Sequence, residues 1–169
     1  MRKRKNVSVY EAGKIEIGNA VRVSDPCYDL GVWCAGTIEG MLPGKYNCFV
    51  VMSDEKEWGH RVSYIEIRHE NYLTKKAGKL IPITVGVDSG QCGIYDLEYF
   101  EKIKADKTAD GEWYDKVCLN TCSKDKEYKG CILDNKCLVS QSGYGDGSYR
   151  CYIGENANQK VVSVRVKYI

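Results

Sequence analysis

The sequence predicts a mainly β chain of the α+β class: a β-sandwich or barrel-like sheet with one or two short helices inserted. Three observations lead there. Apolar residues recur with a period near two in many short runs, as strands require. Clusters of Gly, Asp, Ser and Pro punctuate those runs. Helical spacing shows most clearly in the stretch after Asp96.

In chain order, Val7, Val9, Ile15, Ile17, Val21 and Val23 alternate with polar neighbours and predict strand over 7–23. Pro26 ends that run, and Asp25-Pro26-Cys27-Tyr28-Asp29 reads as a turn. Residues 30–44 are irregular, with a short strand at Gly36–Glu39. Tyr46–Met52 is an apolar strand, Ser53-Asp54-Glu55-Lys56 its turn and His60–Arg68 its hairpin partner. Strands at Thr84–Val87 and Cys92–Tyr95 flank an Asp88 loop. Leu97, Phe100, Ile103 and Lys104 fall at near-helical spacing behind a capping Asp96, predicting a helix over Leu97–Ala105. A second short helix is expected at Trp113–Cys122, after an Asp110-Gly111 turn, and then loop over 123–130. Closing strands are expected at Lys136–Ser140, Tyr149–Ile153 and Lys160–Tyr168. The last alternates strictly through Val162, Val164, Val166 and Tyr168; placed at a sheet edge, it would pair with a second copy into a homo-oligomer.

The 169 residues suit one domain spanning 1–169, with a flexible basic N-terminus at 1–5. A hydrophobic share of 43% with 28% charged residues supports a core and a hydrated surface. The net charge of +2 argues against a nucleic-acid partner. No apolar stretch approaches the ~20 residues that span a bilayer, and no apolar segment follows the N-terminal basic run as in an export signal. The nine cysteines are therefore expected to be reduced in a cytoplasm, most of them as packing residues. Thirteen tyrosines against two phenylalanines suit half-buried strands and the walls of polar pockets.

Three loops concentrate the candidate chemistry. Ser142-Gly143-Tyr144-Gly145-Asp146-Gly147-Ser148-Tyr149 packs glycines, hydroxyls and an acid into eight residues. Ser24-Asp25-Pro26-Cys27-Tyr28-Asp29 and Asp88-Ser89-Gly90-Gln91-Cys92-Gly93 share its character. Each adjoins a predicted strand, so all three are expected at one end of a sheet, forming one concave site. Glycine-flanked amides can cradle an anion, tyrosine faces can stack on a base or sugar, and hydroxyls and carboxylates can hold ribose. The expected ligand is small, polar and nucleotide-like, bound by Asp25, Tyr28, Asp88, Ser89, Gln91, Ser142, Tyr144, Asp146, Ser148 and Tyr149.

Neither a cofactor nor a bound metal is called for. Cys118, Cys122, Cys131 and Cys137 lack the two-residue gap usual for structural zinc. Asp25, Asp88, Asp96 and Asp146 offer weak grounds for a hard cation. The two histidines, His60 and His69, fall in or beside a predicted strand, away from the loops, so Ser89 and Cys92 lack an obvious base.

The segments Val23-Ser24-Asp25-Pro26-Cys27-Tyr28, Val87-Asp88-Ser89-Gly90-Gln91 with Gly93-Ile94-Tyr95-Asp96, Trp113-Tyr114-Asp115-Lys116-Val117-Cys118 and Val139-Ser140-Gln141 running into the glycine loop resemble a family of small uncharacterised proteins, a domain of unknown function. Its members occur in phages and prophages of Gram-positive bacteria and in bacterial genomes. The resemblance covers most of the chain and implies a phage or mobile-element setting in a bacterial cytoplasm, with no activity to carry over. Arg150 departs from the pattern, where proline follows the tyrosine.

These features leave catalysis and binding both open. One expectation is a protein that sequesters a nucleotide signal of host defence. A second is a hydrolase of a nucleotide or phosphorylated substrate, with Asp88 and Asp146 as catalytic carboxylates and Ser89 and Tyr144 positioning the substrate. A third is a protein inhibitor of a host enzyme.

Overall fold

Strand β1 (Val7–Ile17) runs antiparallel to β4 (Gly44–Asp54), which pairs with β5 (His60–His69). In this computed structural model, which describes residues 6–169, these strands open a six-stranded sheet. It continues through β11 (Val161–Lys167) and β10 (Gly147–Glu155) to β6 (Lys79–Val87), in the order β1-β4-β5-β11-β10-β6. A five-stranded sheet has the order β3-β2-β7-β9-β8, from β3 (Gly36–Glu39), β2 (Ala20–Ser24), β7 (Gln91–Asp96), β9 (Cys137–Gln141) and β8 (Gly130–Leu133). All named strand pairs are antiparallel, and the fold is mainly β with two helices, as expected.

The sheets face each other. Ile15, Cys48, Val50, Ile65, Ile67, Val164 and Val166 from the larger sheet pack with Val21, Val23, Ile94 and Leu138 from the smaller one. A second apolar cluster covers the far face of the smaller sheet: Tyr95, Val139 and Cys137 meet Phe100, Trp113 and Val117 of two helices. The five-stranded sheet is thus buried on both faces, which is why β7 is buried along its whole length instead of alternating. The nine cysteines are all free thiols, five of them buried in this packing.

Several boundaries differ from expectation. The 7–23 run divides into β1 and β2, which belong to different sheets; Gly18 and Asn19 turn the chain between them. β6 begins five residues earlier than expected, because Pro82 is tolerated on an edge strand, where the ladder to β10 is locally irregular. β8 begins at Gly130, where the expected loop ends, and is not among the expected strands. Helix α1 (Leu97–Ala105) has Asp96 as its cap, accepting from the Tyr99 amide at 3.2 Å. Helix α2 runs from Lys107 to Thr121, so Asp110-Gly111 lies inside it instead of forming a turn. Asp106 starts it earlier by accepting from the amides of Thr108 and Ala109, and buried Lys104 anchors Asp110 at 2.5 Å. These outweigh the ~1 kcal/mol cost of an internal glycine.

The C-terminal strand is not an edge. β11 lies between β5 and β10 with both ladders filled, so it cannot pair with a second copy. The expectation for residues 1–5 lies outside the described residues. Among the described residues, no helix is long and apolar enough to cross a membrane.

Candidate functional site

Three connections converge: the segment after β2, the β6–β7 turn and the β9–β10 turn. At their centre is Asp25, fully buried, whose carboxylate takes four hydrogen bonds. Oδ1 accepts from the Cys27 amide at 2.8 Å and from Ser89 Oγ at 2.7 Å. Oδ2 accepts from the amides of Asp88 at 2.8 Å and Ser89 at 2.7 Å. A buried carboxylate is tolerated only with such a full set of donors.

The glycine loop closes on the same turn. The Gly90 amide donates to Asp146 Oδ1 at 2.9 Å, and the Ser142 amide donates to the Gly90 carbonyl at 2.9 Å. Within the loop, Ser142 Oγ donates to the Gly145 carbonyl at 2.7 Å. The Tyr149 hydroxyl spans the carbonyls of Ser142 at 3.0 Å and Gly145 at 2.5 Å. Gly90 (φ 69°) and Gly143 (φ 56°) sit in the left-handed region, which explains glycine there. At Gly143 a Cβ would also come within 2.9 Å of the Tyr168 Cβ.

The ten expected ligand residues divide into two sets. Asp25, Ser89, Gln91, Ser142 and Tyr149 spend polar groups on holding the loops. Gln91 is buried, accepting at Oε1 from Thr121 Oγ1 and donating to Cys118 Sγ, which ties β7 to α2. Asp88, Tyr144, Asp146 and Ser148 are exposed. Tyr28 stands between the sets, its hydroxyl donating to Asp88 Oδ2 at 2.8 Å. Burial first, then that bond, raises the Tyr28 hydroxyl pKa well above its ordinary value, so it stays protonated.

Two structural neighbours extend the cluster beyond the residues read from the sequence. The β4–β5 hairpin tip reaches Tyr144: its hydroxyl donates to Glu55 Oε2 at 2.7 Å, its ring meets Trp58 edge-on at 6.1 Å, and Arg61 lies 5.9 Å from its centroid. The available signal was Trp58, an aromatic residue in what otherwise reads as a plain polar turn. His60 opens β5 in this same hairpin, opposite Asp54. On the other side, Tyr114 of α2 stands beside Cys118 and Ser89; burial first, then the Cys118 contact, pushes its hydroxyl up to about 12. The Cys27 thiol is likewise pushed up to about 12, by burial and then by Asp25, which makes it a poor nucleophile at neutral pH. Among the described residues, no group of three or more His, Cys, Asp or Glu side chains is arranged to hold a metal.

A family described as "Protein of unknown function (DUF4241)" matches residues 50–166. The chain belongs to this family. The match takes in the β6–β7 turn and the glycine loop, while Asp25, which clasps that turn, lies before it. No curated protein and no solved structure matches the chain.

Proposed function

We propose that this protein of the DUF4241 family binds a small, polar, nucleotide-like ligand at the loop cluster, and that it works in a bacterial cytoplasm as a phage or mobile-element protein that sequesters a signal of host defence. One observation carries the binding reading. Three loops, distant in sequence and two of them glycine-bearing, are locked into one hydrogen-bonded unit that leaves Asp88, Tyr144, Asp146 and Ser148 at its surface. A pre-formed polar frame of this kind spares a ligand the cost of ordering the loops. Binding is favoured over hydrolysis because the hydroxyl of Ser89 is committed to Asp25 and the nearby thiol of Cys27 is held protonated. The phage setting rests on the motif resemblance.

The test is to mix the purified protein with cyclic and linear nucleotides, isolate the complex and release its contents by denaturation into a mass spectrometer. Intact nucleotide is expected, with retention reduced by Asp146→Asn. Recovery of a cleaved product would replace binding with hydrolysis, and turnover lost in Asp88→Asn and Asp146→Asn would assign those carboxylates.

A further inference from the structure

The outer face of the six-stranded sheet adjoins the loop cluster at Ser148 and Tyr149 and extends away from it along β10, β11 and β5. Across β5, β11 and β10 it carries ordered cross-strand rows: Tyr64, Lys167 and Arg150 in one, Glu66, Arg165 and Tyr152 in the next. Two adjoining depressions, of 250 Å³ and 310 Å³, run along these rows and share Tyr152 and Lys167. Arg150, Arg165 and Lys167 line them and, among the described residues, no acidic side chain does. The nearest acid, Glu66, is buried beneath and fully engaged. Its Oε2 accepts from Arg68 and Arg165, each at 2.9 Å, and its Oε1 accepts from the Ala77 amide at 3.0 Å. Ile169 lines both depressions, its backbone oxygen accepting from Ser63 Oγ at 3.4 Å.

Arg150 and Lys167 are exposed and have no ion pair among the described residues, yet they are directly opposite each other in the β10–β11 ladder. Like charges in that position repel. Arg165 adds a third positive group one row away, stacked 4.3 Å from the Tyr64 ring centroid. An anion between Arg150 and Lys167 removes the repulsion and gains charge-assisted hydrogen bonds. Tyr152 offers a ring on the same strand, two residues from Arg150, where both residues point to the same face.

We propose that this groove binds a phosphate-bearing aromatic small molecule, a nucleotide, with phosphate between Arg150 and Lys167 and the base against Tyr152. The proposal shares the ligand class of the reading above but rests on Arg150, Lys167 and Tyr152, none of them among the loop-site residues, so each can fail without the other.

The test is calorimetry and thermal unfolding at low salt, with inorganic pyrophosphate and ADP as probes. Both are expected to bind and to raise the Tm of the parent protein. The Arg150→Gln/Lys167→Gln double variant is expected to lose roughly tenfold or more in affinity for both, while remaining at least as stable unliganded, since the repulsion is gone. Tyr152→Leu is expected to weaken ADP and spare pyrophosphate. Absence of heat and of a Tm shift with both probes would overturn the proposal, as would a double variant that binds like the parent. Tighter binding of a random single-stranded oligonucleotide than of ADP would overturn it in favour of a general polyanion surface. Loss of ADP binding in Asp146→Asn alone would leave the loop site and remove the groove; loss in the groove variants alone would do the reverse.

Discussion

The loop cluster and the outer face of the larger sheet are both polar, but they manage charge in opposite ways. Around Asp25 a single carboxylate is fully buried and every lone-pair direction is used by the chain. Along β10 and β11 two cations face solvent and each other with no ion pair among the described residues. The first arrangement gives rigidity: its polar groups stabilise the turn that contains them. The second leaves an electrostatic demand that a bound anion can meet. Residues with the most suggestive chemistry in the sequence are therefore largely structural, and residues that looked like the plain polar face of a strand carry the unmet charge.

That contrast can be broken most severely at Asp25. Asp25→Ala strands three backbone amides and the Ser89 hydroxyl in a buried place. The expected loss is about 4 kcal/mol or more by urea denaturation. A loss below about 1 kcal/mol would mean that the loops are held by other means.

Glu66 tests the outer face from beneath. Burial alone raises its carboxyl pKa, but hydrogen bonds from Arg68, the Ala77 amide and Arg165 more than offset this, leaving it below the usual carboxylate value. A depressed folded-state pKa contributes stability that is present above the unfolded value, ~4.3, and is lost as pH falls through the folded value. Glu66→Gln should cost about 3 kcal/mol at neutral pH by leaving two arginines unbalanced. It should also flatten the acid-side fall of stability, measured by denaturation across that range.

Gly143→Ala sharpens the rigidity side. It combines a left-handed backbone with a close approach to Tyr168, and about 1–3 kcal/mol of destabilisation is expected by thermal unfolding. The smallest effect has the opposite sign. Lys167→Gln in unliganded protein should stabilise by about 0.2–1 kcal/mol, as relief of repulsion from Arg150; calorimetry at low and high salt should show the gain shrinking as salt screens the pair.

Local pattern was enough to find most strands and α1, because period-two alternation and the Asp96 cap are properties of neighbouring residues. It misplaced the start of α2, since Asp110-Gly111 looks like a turn until Lys104, buried from another helix, is seen to hold Asp110. It also allowed β11 as an edge, because strict alternation says which face is buried and nothing about what lies on either side. For the site, composition singled out the three loops, and they do meet. The division of labour inside them was invisible: an aspartate reads the same whether it faces a ligand or four donors of its own chain.

Periodicity, caps and turn residues are encoded along the chain, so the mainly β class, the first helix and the three polar loops followed from the order of amino acids. Partnership across space is not encoded that way. Asp25 with Ser89 and Tyr144 with the hairpin at Glu55 are separated by long stretches of sequence, and Arg150 faces Lys167 only through the β10–β11 register. Hydrogen bonds and charge repulsion act over a few ångströms, so strand order and register set which polar groups are satisfied and which still call for a partner.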